Sequence, residues 1–226
     1  MIKRVVAALV LVVWLGAPAL DPFASWPANA ATKSGSVKFA TAVMKTLIVK
    51  GRAPKTGYSR AQFGAAWADV DHNGCDTRND ILRRDLTSVV YRSGNCVILS
   101  GVLHDPYGGS VINFRRGAAT SPAVQIDHVV ALSDAWQKGA FAWTIAKRTA
   151  FANDPLELLA VDGPINSQKS DSDAASWLPP MKTYRCQFVA RQIAVKSKYG
   201  VWITSAERDA FGRVLAKCPK QLLPVG

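Results

Sequence analysis

No two cysteines in this sequence stand in a C-x-x-C spacing, no segment repeats, no block is of low complexity, and only three histidines occur in 226 residues. Each shortage excludes something. Without C-x-x-C knuckles, a four-cysteine zinc site loses its usual scaffold. Without repeats or a long linker, nothing argues for a second domain. With three histidines, a mechanism that needs a base near neutral pH has few places to find one. Past the N-terminus, no stretch is long and apolar enough to span a bilayer. Acidic residues are also scarce, 16 against 28 lysines and arginines, for a formal charge of +12.

The N-terminus has a composition of its own. Lys3 and Arg4 precede an apolar run from Val5 to Leu15, and Ala28-Asn29-Ala30 supplies the small-x-small pattern of a signal-peptidase site. Pro18 and Asp21 interrupt the run before ~20 apolar residues accumulate, which favours a cleaved signal over a membrane anchor. The expectation is a signal peptide over residues 1–30, a short lead-in over 31–36, and one mature domain over 31–226. No cysteine lies beside the cleavage site to carry a lipid, so no membrane attachment is expected after processing. Lys3, Arg4 and Asp21 leave with the signal, lowering the charge only by one. A strongly basic exported domain suits a polyanion, with nucleic acid, anionic cell wall and membrane surface all qualifying. Charge alone serves solubility equally well.

All four cysteines, Cys75, Cys96, Cys186 and Cys218, lie in the mature part, and an even count in an exported chain points to two disulfides. Of three pairings, Cys75–Cys96 and Cys186–Cys218 are favoured, because each brackets a compact stretch and leaves the centre free.

Apolar spacing predicts an opening helix over 36–48 and a second helix started by Asp76 or Asn79, with Ile81, Leu82, Leu86 and Val89 on its buried side. Val97–Leu103 and Ser110–Phe114 flank the turn Asp105-Pro106-Tyr107-Gly108-Gly109 and predict a β-hairpin. Val124–Val130 reads as a strand, Ser133 as the cap of a helix, and the stretch through Lys147, Arg148 and Phe151 as another. Leu156–Val161 reads as a short strand, Asn166–Ala175 as a short helix, and Tyr184–Lys198 and Thr204–Leu215 as the closing helices. The whole predicts an α+β domain.

Chemistry concentrates near the middle of the chain. His72 and His104 lie in polar turns, where an exposed and idle imidazole is the usual finding. His128 follows Asp127 at a strand end, where a side chain can be aimed; the competing reading is a hydrogen-bonded core histidine. Against that reading stand Asn166, Lys169, Ser170 and Asp171, polar residues that packing does not explain. Asp127 offers a hard carboxylate oxygen and Asn166 an amide oxygen, a pair suited to Mg²⁺, with Mn²⁺ or Ca²⁺ as alternatives. His128 is then free to take a proton from an attacking water, and Lys169 to hold a phosphate oxygen.

The segments Ile126-Asp127-His128-Val129-Val130-Ala131-Leu132, Leu156-Glu157-Leu158-Leu159 and Asn166-Ser167-Gln168-Lys169-Ser170-Asp171 resemble the HNH, or ββα-metal, endonucleases. The resemblance is to the branch shared with the C-terminal domain of GmrSD-type restriction enzymes, including its small secreted members. Asn73–Asp80, Ser100–Tyr107 and Ala152–Pro155 resemble that branch too, so the likeness spans most of the mature chain.

The resemblance implies a ββα-metal motif with its core over 124–175, one divalent cation on Asp127 and Asn166, His128 as general base, and Lys169 near the substrate phosphate. At the middle motif position the family usually carries an asparagine whose amide fixes the histidine loop; here stands Glu157. A carboxylate cannot donate as an amide does. Either Asn153 supplies the amide, the reading slightly favoured, or Glu157 bonds differently or assists the metal, or activity is weakened. Arg115 and Arg116, after the hairpin, either contact phosphates or form a solvated pair; Arg116 is carried as a phosphate-binding candidate. The expected activity is a secreted, metal-dependent endonuclease with little sequence preference, acting as a monomer on DNA ahead of RNA. Its rival from another class is a non-catalytic secreted polyanion-binding protein; a cell-wall hydrolase ranks last, since it leaves the paired motifs unexplained.

Overall fold

The computed structural model of the chain describes residues 38–224. The expected signal peptide and lead-in lie outside the described residues, as do the first two residues of the expected opening helix. That helix proves short, α1 (Ala40–Met44). Phe39 pairs with Leu222 just before it and Val49 with Ile203 just after, so extended backbone contacts leave room for little more than one turn.

Asp76 caps α2 (Thr77–Asp85) by accepting from the Asn79 backbone N–H at 2.8 Å. The expected continuation of this helix through Val89 does not occur. Leu86 turns extended (φ −94°, ψ 148°) and opens strand β1 (Leu86–Tyr91). Thr87, Val89, Val90 and Tyr91 suit a pleated surface better than a helix, and an available partner decides the matter. β1 pairs antiparallel with β2 (Ile98–His104), which pairs with β3 (Val111–Arg115), so the expected β2–β3 hairpin is two-thirds of a three-stranded sheet.

β4 (Val124–His128) and β5 (Leu158–Asp162) form a second antiparallel pair, with Ile126 opposite Ala160 and His128 opposite Leu158. Between them runs an excursion carrying α3 (Leu132–Gln137) and α4 (Ile145–Ala152), the latter capped by Thr144. Ser133 does not cap α3; Ala131 occupies that position without a side-chain bond, and the Ser133 hydroxyl donates to Asp171 at 3.1 Å. β5 runs directly into α5 (Gly163–Lys169), because Asp162 accepts from Ile165 N–H and Pro164 presets the first turn. This helix begins three residues earlier than expected and stops at Lys169, since Ser170 takes φ 51°. Gly163 is required there: a Cβ on it would collide with the carbonyl of Pro122. The strand–strand–helix order of the β4–β5–α5 unit is thus present.

The β4–β5 pair is buried on both faces. Val124, Ile126, Leu158 and Ala160 pack with Ile81, Leu82, Leu103 and Phe114 of the α2/three-stranded layer. Leu159 and Val161 face the opposite way, against α6 (Arg185–Tyr199) and α7 (Ser205–Leu215) through Phe188, Val189 and Phe211. A further cluster of Phe63, Val130, Trp136 and Phe151 fills the space under the excursion. Both favoured disulfides are formed: Cys75–Cys96 fastens the loop before α2 to the β1–β2 connection, and Cys186–Cys218 joins the start of α6 to the end of α7. The described chain is one α+β domain, and among the described residues no helix is long and apolar enough to cross a membrane.

Candidate active site

Successive side chains of a strand point to opposite faces, and this alternation separates the two residues of the Asp127-His128 pair. Ile126 and His128 line a cleft of about 500 Å³ with Arg60, Trp67, Arg78, Gln125 and Asn166. Asp127 lies on the other face, 5% exposed. Its Oδ1 meets Lys169 Nζ at 2.8 Å and its Oδ2 accepts from the Tyr107 hydroxyl at 2.5 Å. Burial pushes the Asp127 carboxyl upward, opposed by Lys169, Tyr107 and Arg60. Lys169 is itself fully buried and donates a second bond to the His128 carbonyl at 2.9 Å.

The imidazole of His128 is fixed on two sides. Its Nε2 lies 2.9 Å from the carbonyl of Ala152, which can only accept. The neutral ring therefore carries its proton on Nε2, and Nδ1 is the basic nitrogen. Trp67 stacks on the ring at 6.3 Å between centroids and 19° between planes. Burial pulls the imidazole pKa from 6.5 to about 3; the Ala152 bond opposes this, while Arg60 and Lys169 add to it. His128 is thus held neutral at any physiological pH. It borders a second cavity as well, of about 210 Å³, shared with Arg60, Phe63, Trp67, Leu132 and Asn153. A larger cavity of about 930 Å³ lies away from this site, between Trp177, α6 and α7; its lining holds neither histidine nor carboxylate.

The backbone after His128 is gripped by Glu157. Its carbonyl accepts from Val129 N–H at 2.9 Å, and both carboxylate oxygens lie 3.1 Å from Val130 N–H. The middle motif position therefore reaches the histidine loop as an acceptor. Burial drives the Glu157 carboxyl well above its usual range, against the opposing Val130 bond. Asn153 does not take over that position: its amide donates to Thr149 at 2.9 Å, and its buried Oδ1 has no hydrogen-bond partner.

The family described as GmrSD restriction endonucleases, C-terminal domain, matches residues 76–214, a span that holds α2, both sheets, His128, Glu157 and α5. The chain belongs to this GmrSD C-terminal domain family. A protein of Arthroderma benhamiae named "Uncharacterized secreted protein" is 39% identical over 185 residues, covering 81% of this chain and 86% of that one. No solved structure matches the chain. The secreted relative agrees with the two disulfides, and this GmrSD-type domain is a secreted one.

The divalent cation that the GmrSD-type resemblance implies meets a poor donor set in this arrangement. Asp127 commits one oxygen to Lys169 and the other to Tyr107 and does not line the cleft. Asn166 lines the cleft, with its amide nitrogen donating to Gln125 at 2.9 Å. Among the described residues no three His, Cys, Asp or Glu side chains gather as metal ligands. The two expected ligands thus do not fit one cation as they stand.

Two expected phosphate ligands are placed elsewhere. Lys169 is bound to Asp127 inside the domain, because α5 turns it toward the strand face that the alternation assigns to Asp127. Arg116 donates to the Ile98 carbonyl and to Asn79 Oδ1, both at 2.6 Å, and so straps β2 to α2. Three cleft residues were not singled out in the sequence: Arg60, Trp67 and Arg78. Arg78 falls within the Asn73–Asp80 stretch that resembles the GmrSD-type branch, whereas Arg60 and Trp67 carry no such signal.

Proposed function

We propose that this secreted GmrSD-type domain hydrolyses phosphodiester bonds in nucleic acid, DNA ahead of RNA and without strong sequence preference, with His128 as general base. Residues 1–30 form its export signal in this reading. The observation that carries it is the tautomer: Ala152 holds the proton on Nε2, leaving Nδ1 as a lone-pair nitrogen on a neutral ring at a cleft edged by arginines. A neutral, oriented imidazole can receive the proton of an attacking water; burial weakens its basicity, and a substrate phosphate bound beside the ring restores it by favouring the imidazolium. Glu157 and Ala152 hold the ring and its loop, and Trp67 covers one ring face. The family relationship supports a nuclease-like activity, and the charge of +12 supports a polyanionic substrate whose phosphates supply affinity without a base code.

A cation on Asp127 requires Lys169 to release the carboxylate, so hydrolysis and its cation dependence are read separately. Purified protein incubated with supercoiled plasmid and with single-stranded RNA, with Mg²⁺, Mn²⁺ or Ca²⁺ and with chelator, tests both. Nicked and linear plasmid is expected. Intact plasmid in every arm, with salt-sensitive binding retained, contradicts the enzyme and leaves the polyanion-binding reading.

A further inference from the structure

Lys169 and Arg116 are bound internally, so the cleft needs other cations if a polyanion is to enter it. Arg60 and Arg78 line it beside His128, both from the wall built by residues 60–78. Neither forms an ion pair among the described residues. Arg60 stands exposed at the start of a 3-10 turn (Arg60–Phe63), and its field reaches both His128 and Asp127.

Arg78 is half-buried in the first turn of α2. Its Nη1 is buried without a hydrogen-bond partner, and its Nη2 has only a long 3.4 Å contact to the Val124 carbonyl. A buried donor left unpaired is destabilising. Beside it lies a second guanidinium, Arg116, whose repulsion adds to burial in pulling Arg78 below its ordinary range, with Asp76 opposing. Unpaired donors next to like charge are what an anion relieves, and a planar guanidinium matches phosphate geometry.

We propose that Arg60 and Arg78 form a two-guanidinium clamp that binds successive backbone phosphates of the nucleic acid and lays the strand along His128. The assignment rests on the nuclease reading of this cleft, and Trp67, at φ 60°, lies in the same wall with its ring against His128. Neither arginine is given a chemical step; both position the strand.

The test is the affinity of a short labelled DNA duplex, measured by polarisation over a salt series, on the His128→Ala protein so that no cleavage intervenes. Arg60→Gln and Arg78→Gln are each expected to reduce the slope of log affinity against log salt by about 0.9, the value of one phosphate contact. Arg208→Gln on α7 is expected to change nothing. Arg78→Lys is expected to restore the slope without the full affinity, which separates a lost phosphate contact from a damaged fold. Slopes unchanged in both glutamine variants overturn the clamp, as does absence of binding by the parent protein. If the slopes stay unchanged while wild-type protein nicks plasmid in a His128-dependent way, the clamp fails and hydrolysis survives. If the slopes fall but plasmid stays intact, the clamp survives and hydrolysis fails.

Discussion

His128 is a buried base whose neutrality is set by its surroundings, and this has a consequence for stability. In the unfolded chain it takes up a proton below about pH 6.5, whereas in the fold it does so only near 3. Between those values the unfolded state binds more protons, so the His128 contribution is present above pH 6.5 and is lost as pH falls toward 3. Its limiting slope is about 1.4 kcal/mol per pH unit. Urea midpoints at pH 7 and pH 4.5 are expected to fall more for wild type than for His128→Gln. Equal losses in both contradict the buried neutral ring.

Glu157 has the opposite sign. Its carboxyl is raised in the fold, so its contribution is full below the ordinary glutamate value of 4.5 and is lost as pH rises through the raised value. Glu157→Gln keeps an acceptor for Val130 N–H and removes the ionisation. This variant is expected to exceed wild type in stability at pH 8, with the gain shrinking toward pH 4.5. Thermal unfolding at the two pH values reads the difference, and a constant offset contradicts it. The sequence exposed the importance of this position but not its bond, because the reach of a glutamate to Val130 depends on how β5 enters its pairing with β4.

At the scale of elements, the strand that aims His128, the hairpin β2–β3, the helices α6 and α7 and both disulfide pairs were legible in the residues. Alternation, turn residues and apolar spacing are local signals, and all of these elements are local or bracket a compact stretch. β1 was not legible, since Leu86–Tyr91 reads as helix or strand until β2 lies beside it. Nor was the destination of Lys169, because the length and phase of α5 decide whether its ammonium faces the cleft or Asp127. The wall over residues 60–78 escaped for another reason: it joins the site through tertiary contacts and through Cys75, which the disulfide ties to Cys96. Removing that bond with Cys75→Ala/Cys96→Ala is expected to lower nicking at least several-fold more than it lowers the helical circular dichroism signal, because the wall loosens while the β4–β5–α5 unit keeps its own packing. Equal activity in the variant contradicts a role of this wall in the cleft.

Across the whole molecule, a buried set of ions closes the domain. Lys138 touches Asp134, Asp173 and Glu207, each at 2.7 Å; Lys196 meets Asp134 at 3.1 Å and Glu207 at 2.9 Å; Arg52 adds to Asp134 and Asp173. Three cations offset three carboxylates, and the set joins α3, α6, α7, the segment after α5 and the chain before Arg60. Burial opposes ionisation of Asp134, yet Lys196, Lys138 and Arg52 prevail and hold it at about 2. Deleting one cation leaves a buried carboxylate uncompensated, so Lys138→Met is expected to cost about 3–5 kcal/mol in chemical denaturation. A loss within 0.5 kcal/mol contradicts that account.

Whether His128 Nδ1 accepts the proton of the attacking water is read by single-turnover plasmid nicking at saturating protein, comparing wild type with His128→Ala. At matched DNA occupancy the variant is expected to nick at least about 100-fold more slowly while binding DNA as tightly, the range in which general-base catalysis falls. Nicking by His128→Ala at the wild-type rate contradicts it.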